Sequence, residues 1–191
     1  MNNKIAHILQ DSINTKNKIV EDKILINTIA EVADVITKCF KDDNKLLLCG
    51  NGGSAADAQH LAAEFSGRFY HDREPLFAEA LHVNTSYLTA VANDYSYNEV
   101  YSRLVKAKGR KGDVLIGIST SGNSQNIINA FQVANERQMI TIGFTGESGG
   151  KMKELSECLI NIPSTETPRI QEAHITVGHI ICQLVEENYF N

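Results

Sequence analysis

Two pairs of polar residues have the types and the spacing to hold a metal ion or to move a proton. His60 and Glu64 are four residues apart, and Gln171 and His179 are eight residues apart. On a helix of 3.6 residues per turn the first pair shares one face, and the second pair lies on one broad side, about 80° apart. Two imidazoles, a carboxylate and an amide oxygen could together bind a divalent cation such as zinc, although glutamine is an uncommon ligand. By spacing alone, however, the first pair is more typical of a solvent-exposed helix contact.

A hydroxyl-rich segment, 119–124, has the composition of an anion site, since its sequence is STSGNS. It follows an apolar run that predicts a buried strand, and it precedes a predicted helix. Backbone N–H groups at a helix start point outward and the helix dipole favours negative charge, so hydroxyls and free amides can hold a phosphate without a lysine. Serine is also a favoured N-cap, but a cap needs only one hydroxyl. The segment therefore predicts a phosphomonoester site.

A second loop, 50–55, has the sequence GNGGSA and formally matches a dinucleotide-binding fingerprint. That fingerprint requires an acidic residue at the end of the second strand, where segment 82–84 reads HVN instead. Neither loop is followed by the Gly-Lys-Ser/Thr of a nucleoside-triphosphate site. The remaining interpretation is a loop whose backbone amides, with Asn51 and Ser54, suit the hydroxyls of a sugar. Its position after a strand also favours a functional role for the His–Glu pair, which we predict within one or two helical turns of it.

The rest of the sequence predicts the scaffold that would bring these segments together. Apolar residues recur at three- and four-residue steps over 1–41, which predicts a helical N-terminal segment of the same domain. Over 42–191, short apolar runs alternate with helical stretches, which is typical of an α/β fold with a parallel sheet flanked by helices, as in flavodoxin-like folds. The five predicted strands are 45–49, 77–83, 114–118, 139–144 and 159–162. The helices predicted after them are 55–65, 86–92, 127–137, 152–156 and 169–189.

Length and composition limit the classes of function. A chain of 191 residues with 42% hydrophobic and 21% charged residues is typical of one globular domain. Its net charge of -5 argues against a nucleic-acid partner, which requires a basic face. The absence of a long apolar run or a signal-peptide pattern predicts no membrane association and a cytoplasmic location. The four cysteines are widely spaced, which predicts buried reduced thiols at Cys39, Cys49, Cys158 and Cys182.

Three segments resemble the sugar isomerase (SIS) family. They are 50–60 (GNGGSAADAQH), the pair Asn93 and Asp94, and 119–124 (STSGNS). Glu64 and Arg68, assigned to one helix, together with 169–172 (RIQE) and His179, resemble the phosphoheptose isomerases within that family, and the resemblance extends over essentially the whole chain.

The resemblance implies an aldose-ketose isomerase that converts sedoheptulose 7-phosphate to D-glycero-D-manno-heptose 7-phosphate through an enediol(ate), the first step of nucleotide-activated heptose biosynthesis for lipopolysaccharide or capsule. It implies Glu64 and His179 as the acid-base pair, without deciding which is the base. It also implies one Zn²⁺ per subunit, held by His60, Glu64, Gln171 and His179. The implied substrate-binding residues are Asn51, Gly52, Gly53, Glu64, Asn93, Asp94, Ser119, Thr120, Ser121, Ser124 and Gln171.

The family's assembly is a homotetramer with active sites at subunit interfaces, which would explain the apolar N-terminal helices. Two alternatives remain open on the sequence. One is a non-catalytic SIS protein, either a sugar-phosphate sensor or a replication-initiator-associating tetrameric adaptor, which would not need Glu64 and His179 together. The other is an isomerase for a shorter or amino-bearing sugar phosphate.

Overall fold

Two long helices form the N-terminal part of the chain in the computed structural model, which describes residues 1–190. They are α1 (Asn2–Glu21) and α2 (Lys23–Lys41), and they confirm the helical prediction. The break between them lies at Asp22, whose carboxylate accepts hydrogen bonds from the backbone N–H groups of Ile24 and Leu25 (2.9 and 3.0 Å). Asp22 is therefore the N-cap of α2, and it ends α1 by satisfying the first orphan amides of the next helix.

A parallel sheet of five strands, in the order β2-β1-β3-β4-β5, forms the centre of the fold. This confirms the predicted fold class. All residues of β1 and β3 are buried, as expected for parallel strands covered on both faces. The strands are β1 (Leu46–Gly50), β2 (Ala78–Ala80), β3 (Val114–Ile118), β4 (Ile140–Thr145) and β5 (Cys158–Asn161).

The remaining helices cover the two faces of the sheet. They are α3 (Gly53–Ser66), α4 (Thr85–Asp94), α5 (Val100–Lys108), α6 (Gln125–Glu136) and α7 (Thr167–Phe190). One core lies between the sheet and helices α2, α3 and α7, and a second lies under α5 and α6. Helix α5 was not predicted, and the helix predicted at 152–156 is a 3-10 segment, Gly150–Leu155. Within residues 1–190, no helix combines the length and the apolar character that a membrane span requires.

Helices α3 and α7 run parallel and in close contact. The Gln171 amide lies against Gly53 at the start of α3, and further along both helices Leu61 lies against Gly178. A Cβ atom added to Gly178 would come within 2.7 Å of the Leu61 side chain, so the missing side chain is what permits this approach. Residues at equivalent positions along α3 and α7 therefore face one another.

The four cysteines are free and buried, as predicted. A less expected buried group is His174, which is 1% exposed on α7. Its Nε2 atom lies 3.0 Å from the Thr145 carbonyl oxygen at the end of β4, and its Nδ1 atom has no hydrogen-bond partner among residues 1–190. Burial lowers the pKa of His174 to about 4, although the hydrogen bond to Thr145 acts in the opposite direction.

This lowered pKa predicts acid sensitivity. The unfolded chain gains a proton on His174 near pH 6.5 and the folded chain does not, so stability should fall as the pH drops from 6.5 towards 4. His174 should account for about 3 kcal/mol of that loss in the free energy of unfolding. In His174→Gln, which retains a donor for Thr145 and cannot titrate, urea unfolding between pH 4 and 7 should show a correspondingly flatter profile. The exposed His7→Gln serves as control, and a wild-type slope in His174→Gln would contradict the assignment.

Candidate active site and metal centre

Three of the predicted site residues converge where α3 packs on α7. The Nε2 atoms of His60 and His179 lie 2.9 Å apart, and Nε2 of His60 lies 3.3 Å from Oε1 of Glu64. One potential ligand atom from each residue lies within 4.8 Å of the other two. Around a tetrahedral zinc with bonds of about 2.0–2.2 Å, neighbouring ligand atoms are about 3.3 Å apart. These three residues, which we call the triad, therefore fit a metal ion in both donor type and spacing.

The triad is reachable from solvent, since the His60 side chain is 48% exposed and that of Glu64 is 22% exposed. The His179 ring is held between two others, with centroids 5.1 Å from the ring of His60 and 5.8 Å from the ring of Phe69. Because one ligand atom of each side chain lies within 4.8 Å of the other two, the arrangement can hold one cation among them.

The position of the triad differs from the sequence prediction in one respect. Helix α3 begins at Gly53, so His60 and Glu64 lie seven and eleven residues into it, at a rise of about 10 and 16 Å. Measured from residue 55, the last of the glycine loop, His60 is about 1.4 turns away, as predicted, and Glu64 is about 2.5 turns away rather than one or two. Gln171 lies beside Gly53 and belongs with the loop, about 12 Å of helix rise from His179.

The serine loop, 119–124, forms a cluster of hydroxyls at the end of β3. Oγ of Ser119 lies 2.9 Å from Oγ of Ser124 and 3.5 Å from Oγ of Ser121. Ser124 occupies the N-cap position of α6, yet its side chain makes no capping hydrogen bond. The hydroxyl is therefore turned towards the cluster, which weakens the interpretation of this loop as an ordinary helix cap.

Gly122 fixes the path of the serine loop. Its φ is +64°, and an added Cβ would come within 2.1 Å of the Gly149 carbonyl oxygen, so only glycine fits this turn. The backbone N–H of Met152 donates to the Gly122 carbonyl (3.0 Å). A cavity of about 380 Å³ adjoins the loop, and its lining includes Thr120, Ser121, Asn123, Ser148, Ser164 and Thr165.

The glycine loop is joined to the start of α6, directly after the serine loop, by a pair of asparagines. Nδ2 of Asn51 donates to Oδ1 of Asn126 (2.9 Å), and Nδ2 of Asn126 donates to Oδ1 of Asn51 (2.8 Å). The Tyr97 hydroxyl donates to the same Asn51 oxygen (3.1 Å). Asn126 is 3% exposed, at the second residue of α6. The pair therefore sets the separation of the two loops. The sequence alone predicts no role for Asn126 or Tyr97.

The remaining predicted residues lie elsewhere. Asn93 and Asp94 end α4, where both are exposed and Nδ2 of Asn93 donates to Oδ1 of Asp94 (3.0 Å). Hydrogen bonds among residues 1–190 join this pair to neither the triad nor the loops. Arg68 is exposed and lies two residues beyond Ser66, the last residue of α3, rather than on that helix. The arginine that contacts Glu64 is Arg73, whose guanidinium donates to the Glu64 carbonyl oxygen (2.9 Å).

The asparagine pair generates a test. Asn126→Ala removes one partner and leaves the half-buried Asn51 amide without it, which should lower the free energy of unfolding by about 1–3 kcal/mol. Urea denaturation measures this loss. Gln132→Ala, at an exposed position on the same helix, should change stability by less than about 0.5 kcal/mol. Equal effects of the two substitutions would show that the amide pair is energetically neutral.

Comparison with known proteins places this geometry in a family. A family model described as the SIS domain matches residues 4–146. The chain is 53% identical over 190 residues to a phosphoheptose isomerase of Aneurinibacillus thermoaerophilus, covering 100% of this chain and 96% of that protein. Among solved structures, it matches phosphoheptose isomerases from Neisseria gonorrhoeae (TM-score 0.91, 44% identity, 97% of this chain and 98% of that one) and Francisella tularensis (TM-score 0.92, 32% identity, 97% of each). The chain therefore belongs to the phosphoheptose isomerase family of SIS-domain proteins.

Proposed function

We propose that the chain is an aldose-ketose isomerase that converts sedoheptulose 7-phosphate to D-glycero-D-manno-heptose 7-phosphate, the first step of nucleotide-activated heptose biosynthesis for lipopolysaccharide or capsule. The observation that carries the proposal is the convergence of His60, Glu64 and His179. Proton transfer between C1 and C2 of a sugar needs an acid and a base at one place, and a protein that only bound the sugar would not need this set. The names of the relatives support the choice of substrate.

The triad would hold one Zn²⁺ per subunit, through Nε2 of His60, Nε2 of His179 and a carboxylate oxygen of Glu64. When bound, the ion would act as a Lewis acid towards the oxygens at C1 and C2. Gln171 as a fourth ligand stays a prediction.

Glu64 and His179 would divide the proton transfers, as the family resemblance implies, and each would act through an atom that the ion does not hold. An enediol(ate) forms when a base removes the proton from one carbon and an acid protonates the carbonyl oxygen of the other. Positioned groups of this kind accelerate proton transfer by about 10²–10⁴. Ser119, Thr120, Ser121 and Ser124 would bind the phosphate, and this binding at the far end of the substrate can orient the reacting carbons. The other proposed substrate contacts are Asn51, Gly52, Gly53, Glu64, Asn93, Asp94 and Gln171.

Glu64→Gln tests the carboxylate directly. The substitution preserves shape and removes the base or ligand, so turnover should fall by about 10²–10⁴. Conversion of sedoheptulose 7-phosphate is followed by NMR, with chelation and zinc return as a parallel arm. His179→Gln should lose activity similarly, and the exposed Glu136→Gln should not. Near-normal turnover in Glu64→Gln would remove Glu64 from the chemistry, and a wild-type chain that binds the sugar phosphate without converting it would indicate a sensor or adaptor.

The enzyme would assemble as a cytoplasmic homotetramer with active sites at subunit interfaces, and residues 1–41 would be an assembly segment within the same domain. An exposed apolar stripe on α1 supports this assembly, since Ile5, Ile8, Leu9 and Ile13 are 42–60% exposed. Beside it lies an apolar cavity of about 360 Å³, whose lining includes Val20, Ile26, Ile180 and Leu184. Exposed patches of this kind mark association surfaces.

Assembly can be tested by placing a charge in the stripe. Leu9→Glu should reduce the mass measured by light scattering from about four times the 21.1 kDa chain towards a smaller species, because a carboxylate cannot be buried unpaired. Lys4→Glu, exposed on the same helix, should leave the mass unchanged. A tetramer that survives Leu9→Glu would exclude this stripe from the interface.

A further inference from the structure

A buried ion pair connects α7 to the loop that follows α3, further towards the C-terminal ends of these helices than the triad. Nε of Arg73 donates to Oε2 of Glu186 (2.7 Å), and the two side chains are 3% and 2% exposed. Glu186 also accepts backbone hydrogen bonds from Phe69 (3.3 Å), Tyr70 (2.8 Å) and His71 (3.0 Å). We call this arrangement the clasp.

The other nitrogens of Arg73 bind the end of α3. Nη2 donates to the carbonyl oxygen of Glu64 (2.9 Å), and Nη1 donates to those of Phe65 (2.9 Å) and Gly67 (3.3 Å). The last carbonyls of a helix lack partners within the helix and carry partial negative charge, so a guanidinium there both satisfies and stabilises them. Arg73 therefore fixes the backbone of Glu64, a member of the triad.

Glu186 connects the same clasp to the other side of the site. It lies on α7 seven residues after His179, which is two turns of helix. It also accepts a hydrogen bond from the backbone N–H of Phe69, whose ring centroid is 5.8 Å from that of His179. The clasp thus contacts the backbone of Glu64 on α3 and the backbone of Phe69, whose ring packs on His179.

The carboxylate of Glu186 is charged in this setting. Burial acts to raise the pKa of Glu186, but hydrogen bonds from Arg73 and from the N–H groups of His71, Tyr70 and Phe69 hold it below its ordinary value. Removing one partner of a buried pair leaves the other charge uncompensated, so the surroundings must rearrange.

We propose that Arg73 and Glu186 are positioning residues that set the spacing of His60, Glu64 and His179, and thereby the affinity of the chain for a divalent ion. The effect on turnover rests on the proposed function, whereas the effect on metal affinity depends on the triad alone. Residues that orient metal ligands typically contribute 10- to 100-fold to metal affinity.

The test is a titration of the metal-free chain with Co²⁺, followed by visible absorption, with turnover of sedoheptulose 7-phosphate measured in parallel. Glu186→Gln should weaken Co²⁺ binding by about 10-fold or more. Arg73→Lys retains a positive charge and loses the forked donors to α3, so it should also weaken binding. His60→Gln should lose the absorption band, which assigns the band to the triad.

A matched control comes from the ion pair of Lys45 and the buried Asp113, just before β1 and β3. Oδ2 of Asp113 accepts from Nζ of Lys45 (2.5 Å) and from the backbone N–H of Arg110 (2.7 Å), and the Asp113 side chain is 2% exposed. Asp113→Asn should lower the thermal midpoint as Glu186→Gln does, yet change the Co²⁺ affinity by less than twofold. Comparison of the two variants therefore separates a loss of stability from a loss of the triad's ligand geometry.

The outcomes distinguish the proposals. Unchanged Co²⁺ affinity in Glu186→Gln, or an equal loss in Asp113→Asn, would overturn the positioning role. Should Glu186→Gln fail to fold, Arg73→Lys decides the same question. Co²⁺ binding without turnover in the wild-type chain would contradict the proposed isomerase activity. The Co²⁺ affinities of the variants would then still support or overturn the positioning role of the clasp. A wild-type chain that bound no Co²⁺ would overturn both the metal site and the clasp's role in it.

Discussion

The close parallel contact between α3 and α7 is the constraint on which the site depends. The missing side chain at Gly178 lets Leu61 pack against the α7 backbone, and this approach brings His60 to within 2.9 Å of His179. The helices come from distant parts of the sequence, so neither contains a complete site. A methyl group added between the two helices would change the distance between His60 and His179, because packed interiors have few voids to absorb it.

The two ends of the site use different physical means. At the carboxyl edge of the sheet, the serine loop offers hydroxyls and a helix start to an anion, although the chain has a net charge of -5. The proposed recognition of a phosphate there would be local and would not depend on the overall field of the protein. The triad, two to three turns along α3, instead consists of two imidazoles and a carboxylate on α3 and α7. The buried ion pair of the clasp connects these two helices. In the proposed function, rigid helices would thus carry the groups for chemistry, and loops would carry the groups for recognition.

Much of the fold could be predicted because its signals are local. Val114–Ile118 is a continuous apolar run between turn signals, and the predicted strand has the observed bounds. Helix α5 was missed because Val100–Lys108 is short and follows a 3-10 turn at Tyr97–Glu99. The convergence of His60, Glu64 and His179 was proposed from spacing and family resemblance. The roles of Arg73 and Asn126 could not be proposed in this way, because they arise from contacts with Glu186 and Asn51, 113 and 75 residues away along the chain.

The asparagine pair has a consequence for how the site responds to its medium. Asn51 and Asn126 exchange two neutral hydrogen bonds, and neither amide gains or loses a proton between acid and base. The separation of the two loops is therefore independent of pH and is little affected by salt, whereas every member of the triad is ionisable. The distance between the two loops thus depends on groups that stay uncharged from acid to base, and a phosphate held between them would be the group there that gains or loses a proton, at about pH 6.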